Sequence, residues 1–115
     1  MWNRRLILAA AGLAAVLVPP RAAGIAVPPC PQRCAMAMET CAASAAGTHR
    51  MAMAACEADF QAAREACASF PAPLRRDCIL FATARLSECE QAADDAFDAA
   101  LAGCLGTLLD CLTSC

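Results

Sequence analysis

At the centre of the cysteine pattern lies the stretch 67-CASFPAPLRRDC-78, which predicts a turn between two helices. Pro71 and Pro73 break a helix because proline lacks an amide hydrogen and clashes with the preceding turn. Proline is nevertheless well placed in the first turn of a helix, so Pro73 is suited to open the second one. Cys67 and Cys78 lie at equal distances from the midpoint of the stretch. If the two helices run antiparallel, these cysteines face each other.

The other eight cysteines extend this symmetry on both sides of the turn. The steps between consecutive cysteines are 4, 7, 15, 11, 11, 11, 15, 7 and 4, which read the same from either end. Ten cysteines allow about 945 pairings, so connectivity cannot normally be read from a sequence. Here, antiparallel segments of equal rise bring together cysteines whose residue numbers sum to 145. The predicted disulfides are Cys30–Cys115, Cys34–Cys111, Cys41–Cys104, Cys56–Cys89 and Cys67–Cys78.

The cysteine steps also predict the secondary structure. Steps of 4, 7, 11 and 15 are close to whole numbers of α-helical turns, so each arm presents its thiols along one stripe. Both arms are rich in strong helix formers such as alanine, glutamate and arginine. We therefore predict an all-α protein, an antiparallel two-helix hairpin with helix 1 at about 31–69, a turn at 70–73 and helix 2 at about 74–114. Helix 1 could break near Gly47, because glycine costs about 1 kcal/mol in a helix interior.

Alanines occupy the stripe between the cysteines. A disulfide needs Cα atoms about 4.4–6.8 Å apart, and large side chains between the bridges would hold the helices further apart than that. Alanine permits the close approach. The mirrored pairs are Ala63 with Ala82, Ala52 with Ala93, and Ala45 with Ala100.

The outermost cysteines form two C-x3-C motifs, Cys30 to Cys34 and Cys111 to Cys115. This twin arrangement resembles the helical hairpins of the plant α-hairpinin peptides and of the small translocase chaperones of mitochondria. The resemblance implies two antiparallel helices joined outer cysteine to outer cysteine and inner to inner. It covers four cysteines, and this chain has three further predicted bridges.

Residues 1–26 are predicted to be a secretory signal peptide, and residues 27–115 the hairpin. Arg4 and Arg5 precede an apolar run from Leu6 to Val18 that is too short to span a bilayer. Cleavage is expected after Ala26, or else after Gly24, and both general and twin-arginine export fit the leader. Because cysteines pair in oxidising compartments, we expect a periplasmic or secreted protein.

The function predicted for the mature chain is non-enzymatic protein interaction. With a net charge of −2 and scattered charges, the chain is not expected to bind nucleic acid. No cofactor and no stable membrane span after leader removal are expected. A two-helix hairpin has no third layer to cover large apolar side chains, so these are expected to bind a protein partner or a second copy of the chain. On helix 2 they form what we call the apolar flank, at Phe97, Leu101, Leu105, Leu108 and Leu112.

An alternative function is periplasmic Cu(I) binding or storage, because thiolates and thioethers are ligands that Cu(I) prefers. Against it, methionines two residues apart point in opposite directions on a helix and cannot chelate one ion together. No cysteine, histidine or carboxylate lies in a recognisable catalytic motif, so the chain is not expected to be an enzyme. The candidate copper ligands besides cysteine are Met36, Met38, His49, Met51 and Met53.

Overall fold

A computed structural model describes residues 26–115, and within them the chain forms two helices. Helix α1 spans Cys30–Cys67 and helix α2 spans Ala72–Thr113, with 38 and 42 residues. The two helices pack side by side and antiparallel, which confirms the predicted all-α hairpin. The predicted signal peptide lies, apart from Ala26, outside the described residues.

Each helix begins with the same proline arrangement. Pro29 precedes α1 and Pro71 precedes α2, both with extended backbone (φ −52°, ψ 151° and φ −57°, ψ 153°). Their carbonyl oxygens accept the first helical hydrogen bonds, at 3.0 Å from the Arg33 amide and 2.8 Å from the Arg75 amide. A second proline sits in the first turn of each helix, where its missing N–H leaves no bond unmade.

The turn lies about two residues earlier than predicted. Helix α1 ends at Cys67, and α2 begins at Ala72 because Pro71 supplies its N-terminal carbonyl. Residues 68–71 connect the helices, and the Arg75 side chain reaches back over them. Its Nε and Nη2 donate to the Phe70 carbonyl oxygen at 3.3 and 3.1 Å. This contact closes the short loop from the side of α2.

Helix α1 does not break at Gly47, so that expectation is wrong. The helix is continuous from Cys30 to Cys67, and no glycine among the described residues has a positive φ. The physical reason is that bridges at Cys41 and Cys56 hold α1 against α2 on both sides of the glycine. One glycine in a helix interior costs about 1 kcal/mol, which is less than the roughly 2–4 kcal/mol that a single disulfide typically contributes to stability.

All five predicted disulfides are present, and we call the series the disulfide ladder and each disulfide a rung. The Cα–Cα distances across the rungs are all between 5.6 and 5.8 Å. Such constant distances show that the helices stay equally close along their whole length. Residues at mirrored positions of the sequence therefore lie at equal heights along the two antiparallel helices.

The interior between the helices contains only small side chains. Its buried residues are four cysteines and three alanines, and none of the described polar or charged residues is buried. Among the mirrored alanines, one of each pair is buried, while Ala52 and Ala63 are half-buried and Ala100 is exposed. Alanine thus permits the short distance across the rungs, as predicted. The buried residues are Cys34, Ala45, Cys56, Cys67, Ala82, Ala93 and Cys104.

Candidate functional site

The cysteine sulfurs differ in their access to solvent although all ten are bonded. No cysteine is free, and all ten lie within the described residues. Each rung except the outermost has at least one buried cysteine, whereas in Cys30–Cys115 one residue is half-buried and the other exposed. The outermost rung is therefore the one that solvent reaches most directly.

The two outer rungs, Cys30–Cys115 and Cys34–Cys111, lie one helical turn apart, at what we call the open end of the hairpin. The Cys34 and Cys115 sulfurs, which are not bonded to each other, are 3.8 Å apart. The sulfurs of Cys30, Cys34 and Cys115 all lie within 4.8 Å of one another. Four sulfur atoms are thus gathered at the open end, with one of their cysteines, Cys34, only 1% exposed.

The apolar flank lies along one side of α2, beside the line of rungs. Leu105 and Leu112 are exposed, at 51% and 40%. Phe97, Leu101 and Leu108 are half-buried, because their positions on the helix bring them nearer to α1. The flank is consequently a mixed surface of exposed and half-buried side chains.

Sequence reasoning missed several exposed apolar side chains. Leu109 is 62% exposed and lies one turn from both Leu105 and Leu112, so it widens the apolar flank. Leu80 and Phe81, near the turn, are 58% and 67% exposed. For Leu109 the signal was its spacing of four residues from Leu105 and three from Leu112. Leu80 and Phe81 follow no helical stripe that would have identified them.

His49 makes the only side-chain hydrogen bond with a charged group between the two described helices. Its Nε2 lies 2.8 Å from Asp94 Oδ1, and its ring packs on Phe97 with centroids 4.8 Å apart and planes tilted by 36°. The side chain is only 24% exposed. His49 covers part of Phe97, which explains why this member of the apolar flank is half-buried.

The candidate copper ligands are spread over different sides of α1. Met36 and Met51 are 57% and 75% exposed, while Met38 and Met53 are half-buried nearer the second helix. His49 already contacts Asp94. All ten sulfurs that would supply thiolates are bonded in pairs. In this oxidation state the thioethers and one imidazole would have to bind copper without any cysteine.

No protein family, no curated protein and no solved structure matches this chain. The helices and the ladder define its class directly, as a helical hairpin stapled by five disulfides. Five disulfides in one small domain are typical of an oxidising environment such as the periplasm or the cell exterior.

Proposed function

We propose that this protein is an exported, non-enzymatic interaction protein that binds a protein partner, or a second copy of itself, through the apolar flank. One observation carries the proposal. The smallest apolar side chains, alanine and cysteine, fill the interior, while Leu105 and Leu112 of the flank are exposed. A soluble domain ordinarily does the reverse, and clustered exposed apolar residues mark interaction surfaces.

The disulfide ladder supports the proposal because it holds this surface in one shape. Burying a leucine side chain at an interface contributes roughly 1.5–3 kcal/mol to the binding free energy, but part of this gain is offset by the entropy lost when loops and side chains become ordered. Here the helix that carries Leu105, Leu109 and Leu112 is already fixed by rungs at Cys104 and Cys111. Little backbone remains to be ordered on binding, so a modest apolar area can give a useful affinity.

A membrane is the alternative to a protein partner for such an exposed apolar surface. Helix α2 is long and apolar enough, by length and composition alone, to cross a bilayer. Helix α1 is bonded beside it along its whole length, however, and carries the exposed charges of Arg50, Glu57 and Arg64. A charge at the bilayer centre costs at least about 2.5–3.5 kcal/mol. Inserting α2 would take α1 with it, which favours protein docking over a membrane span.

Export is part of the proposal and rests on the predicted signal peptide together with the ladder. The intact mass of the purified mature protein tests both. We expect a chain that begins at Val27 with a mass about 10 Da below that of its reduced form, because each of five bridges removes two hydrogens. A purified protein with ten titratable thiols and bound copper would instead support the copper alternative.

The docking surface is tested by charge substitutions in the apolar flank. Sedimentation velocity over a range of concentrations measures self-association of the native protein and of Leu101→Glu and Leu105→Glu. The matched control is Ala99→Glu, because Ala99 is an exposed residue of the same helix outside the flank. We expect the flank variants to abolish association and the control to retain it. A dimer that survives both flank substitutions would refute the flank as its surface.

If the native protein is monomeric, the partner is a different protein. A photo-crosslinking residue placed at Leu105 in the producing cell, with Ala99 again as the control position, then reports the contact. The proposal expects a discrete adduct from Leu105 and none from Ala99. Equal adducts from both positions, or none from either, would show that the flank does not select a partner.

A further inference from the structure

We propose that the open end of the hairpin is a thiol–disulfide exchange site, in which Cys115 relays exchange from a dithiol reductant in solution to the Cys34–Cys111 rung. The inference concerns the ladder and is independent of the apolar flank. It rests on the position of one exposed cysteine beside a buried disulfide sulfur.

Access distinguishes the two outer rungs. In the inner rung Cys34 is 1% exposed and Cys111 is half-buried, whereas in the outer rung Cys30 is half-buried and Cys115 is exposed, so an external thiolate reaches the outer rung more easily. Cys115 also lies beyond the last residue of α2, Thr113, and is not held by the regular helix. Exchange requires a thiolate to reach a disulfide sulfur, so the outermost rung is expected to react first.

Proximity then connects the exposed sulfur to the buried one. Cys115 Sγ lies 3.8 Å from Cys34 Sγ and 3.4 Å from the Cys111 carbonyl oxygen, so it is turned back over the inner rung. A nucleophile held at this distance acts at an effective concentration far above that of a millimolar reductant. Once Cys115 is free, its nearest reaction partner is therefore the Cys34–Cys111 disulfide.

The reaction balances in two steps. In the first, the dithiol reduces Cys30–Cys115, becoming a cyclic disulfide and leaving Cys30 and Cys115 as thiols. In the second, the Cys115 thiolate attacks Cys34 Sγ. The Cys34–Cys111 bond breaks, a Cys34–Cys115 bond forms, and Cys111 leaves as a thiolate that takes a proton from water. The second step changes no oxidation state.

The same exchange is not expected at the other rungs. Their neighbours lie 7, 11 or 15 residues away along each helix, which is at least about 10 Å at 1.5 Å per residue. Only the open end brings two rungs within one turn. The Cys67–Cys78 rung beside the turn is thus the natural control.

The experiment measures how fast Cys34–Cys111 opens in dilute dithiothreitol at pH 8. Samples are quenched, alkylated and mapped by mass spectrometry, where cleavage at Arg33 separates Cys30 from Cys34. We expect the double variant Cys30→Ser/Cys115→Ser, which lacks the relay, to open Cys34–Cys111 at least tenfold more slowly than the native protein. If the reductant instead attacked Cys34–Cys111 directly, this rung would open faster in the double variant than in the native protein, because removing the outer rung uncovers the inner one. Equal or faster opening would therefore overturn the proposal.

Single variants test the relay without any reductant. In Cys30→Ser, the free Cys115 thiol is expected to exchange into a Cys34–Cys115 disulfide, with Cys111 becoming alkylatable. In Cys115→Ser, the Cys34–Cys111 rung should persist. Quantitative alkylation of Cys115 with an intact Cys34–Cys111 rung in Cys30→Ser would refute the relay. Removing Cys67 and Cys78 by serine substitution should leave the opening rate at the other end within twofold of native, and circular dichroism verifies that each variant remains helical.

Discussion

Complete reduction of the ladder should abolish the folded hairpin, and the structure gives the size of the effect. The rungs are nested, with sequence separations of 11, 33, 63, 77 and 85 residues. The innermost rung closes a ring of 11 residues, and the rings between successive rungs hold 22, 30, 14 and 8 residues, which are the successive differences of those separations. Loop entropy assigns these rings about 2.5–3.7 kcal/mol each, or about 15 kcal/mol together at 25 °C.

The non-covalent core cannot replace that contribution. Among the described alanines only Ala45, Ala82 and Ala93 are buried between the helices, and each methyl group contributes about 0.8 kcal/mol. Whole domains are stable by only about 5–15 kcal/mol. For a domain of this size, a loss of 1 kcal/mol in the free energy of unfolding lowers the melting temperature by about 4–8 °C. Losing even a third of the ladder's contribution would therefore be enough to unfold a domain at the lower end of that stability range.

The assay is thermal unfolding followed by circular dichroism at 222 nm, before and after reduction and alkylation of all ten cysteines. We expect the cooperative transition of the native protein to disappear, leaving residual alanine-rich helix that melts gradually. Trypsin cleavage at the exposed residues Arg50, Arg64 and Arg85 should accelerate in parallel. An unchanged melting temperature after verified reduction would refute the reasoning, because it would show that packing alone holds the helices together.

Three further substitutions test the packing between and within the helices. Ala82→Leu should lower the yield of the five-disulfide species on oxidative refolding, because a large side chain at a 4% exposed position separates the helices at a cost of about 1–3 kcal/mol, whereas exposed Ala84→Leu should refold normally. Gly47→Ala should raise the local opening free energy by up to about 1 kcal/mol in amide hydrogen exchange, since the new Cβ meets only Arg50 Nη2 at 3.8 Å; a decrease would contradict this. His49→Ala should lower that local opening free energy by about 1 kcal/mol, and Asp94→Ala by less, because the latter keeps the contact between His49 and Phe97. The reverse order would show that the charged contact matters more than the aromatic one.

The fold was predictable because its determinants are covalent and periodic. Disulfide geometry fixes how close the helices must be, and helical periodicity fixes which side of each helix carries the cysteines. Together they left one pairing among many, and the five rungs confirm it. The alanines of the interior followed from the same distance requirement. What spacing alone could not decide was the response of α1 to Gly47, which depends on constraints from both neighbouring rungs.

The surface was less predictable, for a different physical reason. Residue numbers that sum to 145 identify residues at equal heights on the two helices, but long side chains also reach residues at other heights. His49 and Asp94 lie at different heights and still meet at 2.8 Å. The exposure of Leu101, half-buried, and Leu109, 62% exposed, likewise depends on the angle of each residue from the rungs rather than on its hydrophobicity.

Because every rung joins equal heights, the lengths of the two arms are coupled. Deleting one residue of α1 between Cys41 and Cys56 would rotate the remainder by about 100° and displace it by about 1.5 Å. The three outer rungs would then no longer align with their partners on α2. An insertion or deletion is compatible with five bridges only when the opposite arm changes by the same amount at the mirrored place, so tolerated changes of length in this chain should occur in matched pairs.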